Sequence, residues 1–127
     1  MRVATVALVV RDYDEAIAFY VEKLGFELIA DTLLAPGKRW VLVAPIGGGA
    51  RLLLAQAGDA EEASRIGNQT GGRVGFFLET TDFAGDFARF LANGVKFLET
   101  PRHEPYGSVA VFEDLHGNLW DLIQPRR

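Results

Sequence analysis

One motif is written twice in this chain, and that repeat constrains the fold more than any other feature. The first copy is Val3-Ala4-Thr5-Val6-Ala7-Leu8-Val9-Val10, then Asp12-Tyr13-Asp14-Glu15-Ala16-Ile17-Ala18-Phe19-Tyr20, then Leu24-Gly25-Phe26-Glu27-Leu28. The second is Arg73-Val74-Gly75-Phe76-Phe77-Leu78, then Asp82-Phe83-Ala84-Gly85-Asp86-Phe87-Ala88-Arg89-Phe90-Leu91, then Asn93-Gly94-Val95-Lys96-Phe97-Leu98. Each copy reads strand, helix, strand, with a glycine closing the helix. Two sheet-forming halves related in this way can enclose a cleft. Alternate strand residues lining a cleft make a natural ligand site.

The rest of the pattern supplies each half with one helix and four strands, an α+β chain. Apolar and β-branched spacing predicts strands over 3–10, 26–34, 38–45 and 51–56 in the first half. In the second half it predicts strands over 73–79, 95–99, 107–113 and 118–124. Asp12 is the expected N-cap of the first helix, with Glu15 three residues on, and Thr81 or Asp82 that of the second, residues 82–92. Ala35-Pro36-Gly37 and Ile46-Gly47-Gly48-Gly49 read as turns, and Gly117 or Asn118 suits positive φ between the last two strands. Residues 57–72 are polar and break the rhythm, with room for a short helix over 60–66. The expected organisation is one domain over 1–127: module one 1–57, linker 58–71 and module two 72–127.

Composition removes several classes. A net charge of -4 without a basic patch argues against a nucleic-acid partner. The chain has no cysteine, which excludes disulfides, thiolate metal sites and cysteine nucleophiles. No apolar run approaches the roughly 20 residues of a membrane span. Arg11 and Asp12 interrupt the first apolar stretch, so it reads as a strand and not a secretion signal, and a cytoplasmic protein is the expectation.

Candidate ligand-facing groups lie in several places. Pro101-Arg102-His103-Glu104-Pro105-Tyr106-Gly107 reads as a lid presenting His103 or Tyr106, or as a polar turn of proline-fixed geometry. Gln69 in the linker and Gln56 at a strand end are candidate hydrogen-bonding groups. Trp40, Phe77, Phe112 and Trp120 are candidate stacking walls or plain core. Alternation sets Trp120 opposite to Asp121, so Trp120 should pack under a helix. Neither serine sits in a nucleophile-turn context.

Four stretches carry a family resemblance: Val6-Ala7-Leu8-Val9-Val10 before Asp12; Ala16-Ile17-Ala18-Phe19-Tyr20 leading to Leu24-Gly25-Phe26; Gly72-Arg73-Val74-Gly75-Phe76; and Phe112-Glu113-Asp114-Leu115-His116-Gly117-Asn118-Leu119-Trp120-Asp121-Leu122. The chain resembles the vicinal oxygen chelate superfamily, the glyoxalase/bleomycin-resistance/dioxygenase family. That resemblance implies two βαβββ modules forming a curved open sheet around a cleft, and a homodimer. It sets the family's metal-ligand positions at Thr5, Leu53, Arg73 and Asp121. Leu53 has no donor, Arg73 is a fixed cation and Thr5 offers only a hydroxyl. The expectation is therefore no metal and no cofactor.

In this reading Arg73 holds an oxygen of a small ligand or pairs with Asp121, and Asp121 is a general base or a structural ion-pair partner. Thr5 joins the ligand-binding candidates. The expected function is metal-free binding of a small anionic or aromatic molecule, with lyase- or isomerase-like proton transfer by Asp121. Two alternatives stand beside it: a non-catalytic drug-sequestering protein of the bleomycin-resistance type, and a metal-dependent glyoxalase or dioxygenase with unusual ligands.

Overall fold

The computed structural model describes residues 1–127, which divide into two compact units, Met1–Gly67 and Asn68–Arg127. Both are α+β. The first contains β1 (Thr5–Val10), α1 (Tyr13–Ile17), β2 (Glu27–Ala35), β3 (Lys38–Ala44), β4 (Arg51–Gln56) and α2 (Ala60–Ala63). Its sheet runs β1-β4-β3-β2, with β1 parallel to β4 and the other pairs antiparallel. The expected strands all form, although β1 starts two residues later than the apolar pattern and α2 is shorter than 60–66.

Asp12 caps α1 by accepting from the Glu15 amide at 2.9 Å, and the Glu15 carboxylate holds the Arg11 guanidinium at 2.8 and 2.9 Å. The helix does not stay regular. Ala18–Lys23 widens into a π-helical turn in which the Leu24 amide reaches the Phe19 carbonyl. The wider turn lets Ala16, Phe19, Tyr20 and Leu24 all bury against the sheet, where Leu8, Val10, Val41, Val43 and Leu54 form the floor. Gly25 ends it at φ 76°, a left-handed position open to glycine without strain.

The second unit contains β5 (Val74–Glu79), α3 (Phe83–Ala92), β6 (Lys96–Phe97), β7 (Arg102–Glu104), β8 (Gly107–Glu113) and β9 (Leu119–Pro125). Its order is β5-β9-β8-β6, with β7 added on β8. Asp82, not Thr81, caps α3 through the Gly85 amide. Strand 95–99 shrinks to Lys96–Phe97, because the chain leaves β8 and returns to it as β7. One face of this sheet is an aromatic core. Trp120 stacks on Phe76 at 4.7 Å and on Phe112 at 5.8 Å, and Phe90 of α3 meets Phe112 edge-on at 5.5 Å. Burial of each such ring contributes about 1.5–3 kcal/mol.

The turn before β9 is closed by one carboxylate. Asp114 is 6% exposed. Its Oδ1 accepts from the amides of His116, Gly117 and Asn118 at 3.1, 3.1 and 2.9 Å. Its Oδ2 accepts from Asn118 Nδ2 at 3.0 Å and from the Trp120 indole N–H at 3.2 Å. Gly117, with φ 101°, takes the positive-φ position, while Asn118 is buried in the knot. Replacing Asp114 by Ala removes the side-chain acceptor of five donors, and a loss of about 3 kcal/mol or more is expected in denaturant unfolding. A loss below about 1 kcal/mol would show that the knot does not hold the turn.

Candidate functional site

Each unit presents one candidate surface. In the first, β3 and β4 pair only at Leu42 with Leu53 and Val43 with Leu52. A cavity of about 580 Å³ is lined by Lys38-Arg39-Trp40 of β3 and by Ala55-Gln56-Ala57 at the end of β4. Leu34, Trp40, Leu53 and Ala55 wall it with apolar surface, and Tyr13 lies at its base. The Tyr13 hydroxyl accepts the Arg39 amide at 3.2 Å, and the Arg39 guanidinium lies 5.1 Å from the Tyr13 ring centroid. Asp31 and Asp14 hold that guanidinium at 2.7 and 2.9 Å. Its hydrogen bonds to both carboxylates raise the Arg39 pKa further above its already high value, while Asp31 is held below the usual carboxylate range. The cation therefore serves the frame.

Gln56 lines this cavity, with its Nε2 donating to the Arg11 carbonyl at 3.2 Å. Trp40 is 43% exposed, so it is a wall and not core. Thr5 stands exposed at the head of β1 opposite Arg51 and is not among the cavity residues. The contributions of Tyr13 and Leu34 were missed by strand and helix patterning. The partial pairing of β3 with β4 is a tertiary feature that no local signal announces.

In the second unit Asp121 lies on β9 between Phe77 of β5 and Val111 of β8. Trp120 faces the aromatic core, so the predicted alternation holds and Asp121 faces away from it. Asp121 Oδ1 is buried and has no hydrogen-bond partner. Burial pushes the carboxyl pKa up; the Arg102 charge opposes that shift and Glu99 adds to it. Arg102 is already engaged. Its Nε and Nη2 donate to the two Glu99 oxygens at 2.7 and 3.2 Å, and its Nη1 to Glu104 at 3.3 Å and the Tyr106 hydroxyl at 3.4 Å. Glu99 also accepts the Val111 amide at 2.9 Å, and Arg102 holds its carboxyl below the usual range.

Arg73 does not join this group. Its Nε donates to the Val74 carbonyl at 2.9 Å, the side chain is exposed, and no ion pair with Asp121 forms. The cause is a one-residue bulge at Gly75, where Val74 pairs Leu119 but Phe76 already pairs Trp120. In an unbroken strand Arg73 and Phe77 share a face; the extra residue breaks that phase. Only glycine fits there: a Cβ would collide with Thr70 Cγ2, and the Thr70 hydroxyl donates to the Arg73 carbonyl at 2.7 Å.

The segment 101–107 is a paired hairpin and not a free lid. Arg102 pairs Val109, His103 pairs Ser108 and Glu104 pairs Gly107. His103 Nδ1 lies 2.8 Å from Ser108 Oγ, beside a shallow cavity of about 360 Å³ that also takes in Gln124 and Arg126. Tyr106 is exposed at the hairpin tip with its hydroxyl on Arg102. Gln69 is half-buried, and its amide donates to Asn118 Oδ1 at 3.2 Å.

Of the four positions that the resemblance gave to metal ligands, Thr5, Leu53, Arg73 and Asp121, only Asp121 carries a carboxylate, and no group of three or more His, Asp or Glu is gathered to hold an ion. These residues do not fit a transition-metal centre.

Comparison with known proteins places the chain among relatives. The family model described as Glyoxalase/Bleomycin resistance protein/Dioxygenase superfamily matches residues 2–122. An uncharacterized protein of Shewanella frigidimarina is 58% identical over 121 residues, 94% of this chain and 90% of the relative. The crystal structure of UcmS2 superposes with a TM-score of 0.83 at 30% identity, covering 97% of both chains. That of TnmS3, an antibiotic binding protein from Streptomyces sp. CB03234, does so with a TM-score of 0.79 at 33% identity, covering 99% of this chain and 97% of TnmS3.

The bare Asp121 oxygen has a consequence for stability. A carboxyl whose folded pKa exceeds its unfolded value binds its proton more tightly in the native state. Its contribution is greatest below the unfolded value of about 3.9 and is lost as pH rises through the folded value. Asp121→Asn is therefore expected to raise the thermal midpoint at pH 7, with the gain shrinking toward pH 3. A lowered midpoint at pH 7 would mean that the ionised carboxylate is stabilised in the fold.

Proposed function

The chain belongs to the glyoxalase/bleomycin resistance protein/dioxygenase superfamily, and on that footing we propose that it binds a small organic molecule without a metal and holds it unchanged. The observation that carries this reading is the first unit's cavity. At about 580 Å³ it has the size of a small-molecule pocket, and Trp40 and Leu34 offer it apolar walls. A flat aromatic body is the shape that a half-exposed indole on a strand stacks best. The likeness to TnmS3, an antibiotic binding protein, supports a sequestering role for this chain. The donor set at the family's ligand positions supports independence from metal. We further propose a homodimer, supported by exposed Leu28, Leu33 and Leu34 on the edge strand β2.

A second reading rests on Asp121. A carboxyl group raised by burial is suited to moving a proton, which supports a lyase- or isomerase-like step on a bound ligand.

The chain has two tryptophans, and Trp120 is buried in the aromatic core. Titration with 8-anilinonaphthalene-1-sulfonate, an anionic aromatic probe, is expected to quench the Trp40 emission with micromolar affinity. Trp40→Ala should weaken binding about tenfold as followed by probe fluorescence, on the order of the 0.5–1.5 kcal/mol of an aromatic pair plus lost burial. A chelator should leave the affinity unchanged. Affinity that survives Trp40→Ala, or that vanishes with chelator, would contradict the proposal.

A further inference from the structure

We propose that the sheet face around Asp121 recognises a protonated amine carried on an aromatic or apolar body. The inference rests on the reading that this chain binds small molecules, and it assigns the second unit a ligand chemistry of its own.

Directly paired residues on neighbouring strands share a face. Phe77 is opposite Asp121, Glu79 opposite Ile123 and Glu113 opposite Leu119. Their side chains and Asp121 therefore lie on one face. β6 and β7 extend it, since Lys96 is opposite Glu113 and Arg102 opposite Val109. Both of these cations are already taken: Lys96 by Glu113 at 3.5 Å, and Arg102 by Glu99 and Glu104. Four of the five guanidinium N–H groups of Arg102 have acceptors: Nε, both on Nη1, and one on Nη2. Glu79 is left with a 4.0 Å contact to the terminal Arg127. Carboxylates outnumber cations here, so the face favours a cation over an anion.

Asp121 is different from its neighbours. None of its hydrogen-bonding capacity is used, and Oδ1 is sealed from solvent. An ionised carboxylate in that setting gains most from a charged donor that reaches its other oxygen. Directly opposite it on β5, Phe77 is 60% exposed, so its ring is open to a ligand beside the carboxylate. A phenyl face next to an unpaired carboxylate is the pairing that favours an ammonium, which gains charge from one and the ring quadrupole from the other. A neutral apolar group would use Phe77 alone.

The test uses the full chain and three matched probes, 2-naphthylmethylamine, 2-naphthalenemethanol and 2-naphthoate, titrated by calorimetry at pH 8. The amine is expected to bind at least tenfold more tightly than the alcohol, and the acid most weakly. Asp121→Asn should reduce the amine's affinity about tenfold and leave the alcohol's unchanged. Phe77→Ala should weaken both; the side chain is exposed, so the variant keeps its core. Equal binding of amine and acid, or amine binding indifferent to Asp121→Asn, would overturn the proposal. Binding of none of the three would also overturn it, while the anilinonaphthalene titration decides separately whether the chain binds small molecules at all.

Discussion

The Asp114 carboxylate is the interaction on which the second unit depends. It gathers five N–H donors from the four residues 116, 117, 118 and 120, and so fixes where β9 begins. Side chains on a strand alternate with a period of two, so a slip of one residue would exchange its faces. With the register held, Trp120 enters the aromatic core and Asp121 is turned to the opposite face. The indole N–H closes the knot and its ring stacks on Phe76 and Phe112, so one residue joins the turn to the core. Such a frame can keep a carboxyl group in surroundings that do not solvate it fully.

The first unit reaches a ligand surface by other means. Its helix widens after Ile17 so that Phe19, Tyr20 and Leu24 can all bury, and its cavity is lined from β3 and the end of β4. Tyr13 links the two features: it is the first residue of α1, its hydroxyl takes the Arg39 amide, and it lies at the base of the opening. Asp14 and Asp31 then hold the Arg39 guanidinium in place at the cavity wall. The two units thus share a chain pattern while differing in what they offer, one apolar and stacking, the other acidic.

Local signals carried most of the fold. The strand–helix–strand repeat, the Asp12 and Asp82 caps, the Gly25 stop and the alternation of Trp120 with Asp121 are each written within a few residues, and the structure realises them. What patterning missed depends on distant contacts. At the Gly75 bulge Thr70 packs where a Cβ would stand, and the bulge removes Arg73 from the face of Asp121. β7 forms because β8 has a free edge after Phe97, a fact about the sheet and not about residues 102–104. Of the candidate residues, Gln56 could be read from its place at the end of β4 and Asp121 from its alternation. The committed state of Arg102 could not, because Glu99 and Glu104 meet it only once the hairpin is folded.

Asp121 carries a carboxyl group with one buried, unpartnered oxygen, and burial raises its pKa. The most direct measurement is a pH titration of its side-chain carboxyl carbon by NMR, in the parent chain and in Arg102→Gln. The expected midpoint lies above the ordinary aspartate value of about 3.9 and moves higher when the Arg102 charge is removed. A midpoint at or below that value, unmoved by Arg102→Gln, would mean that Asp121 is solvated or paired and that burial does not set its titration.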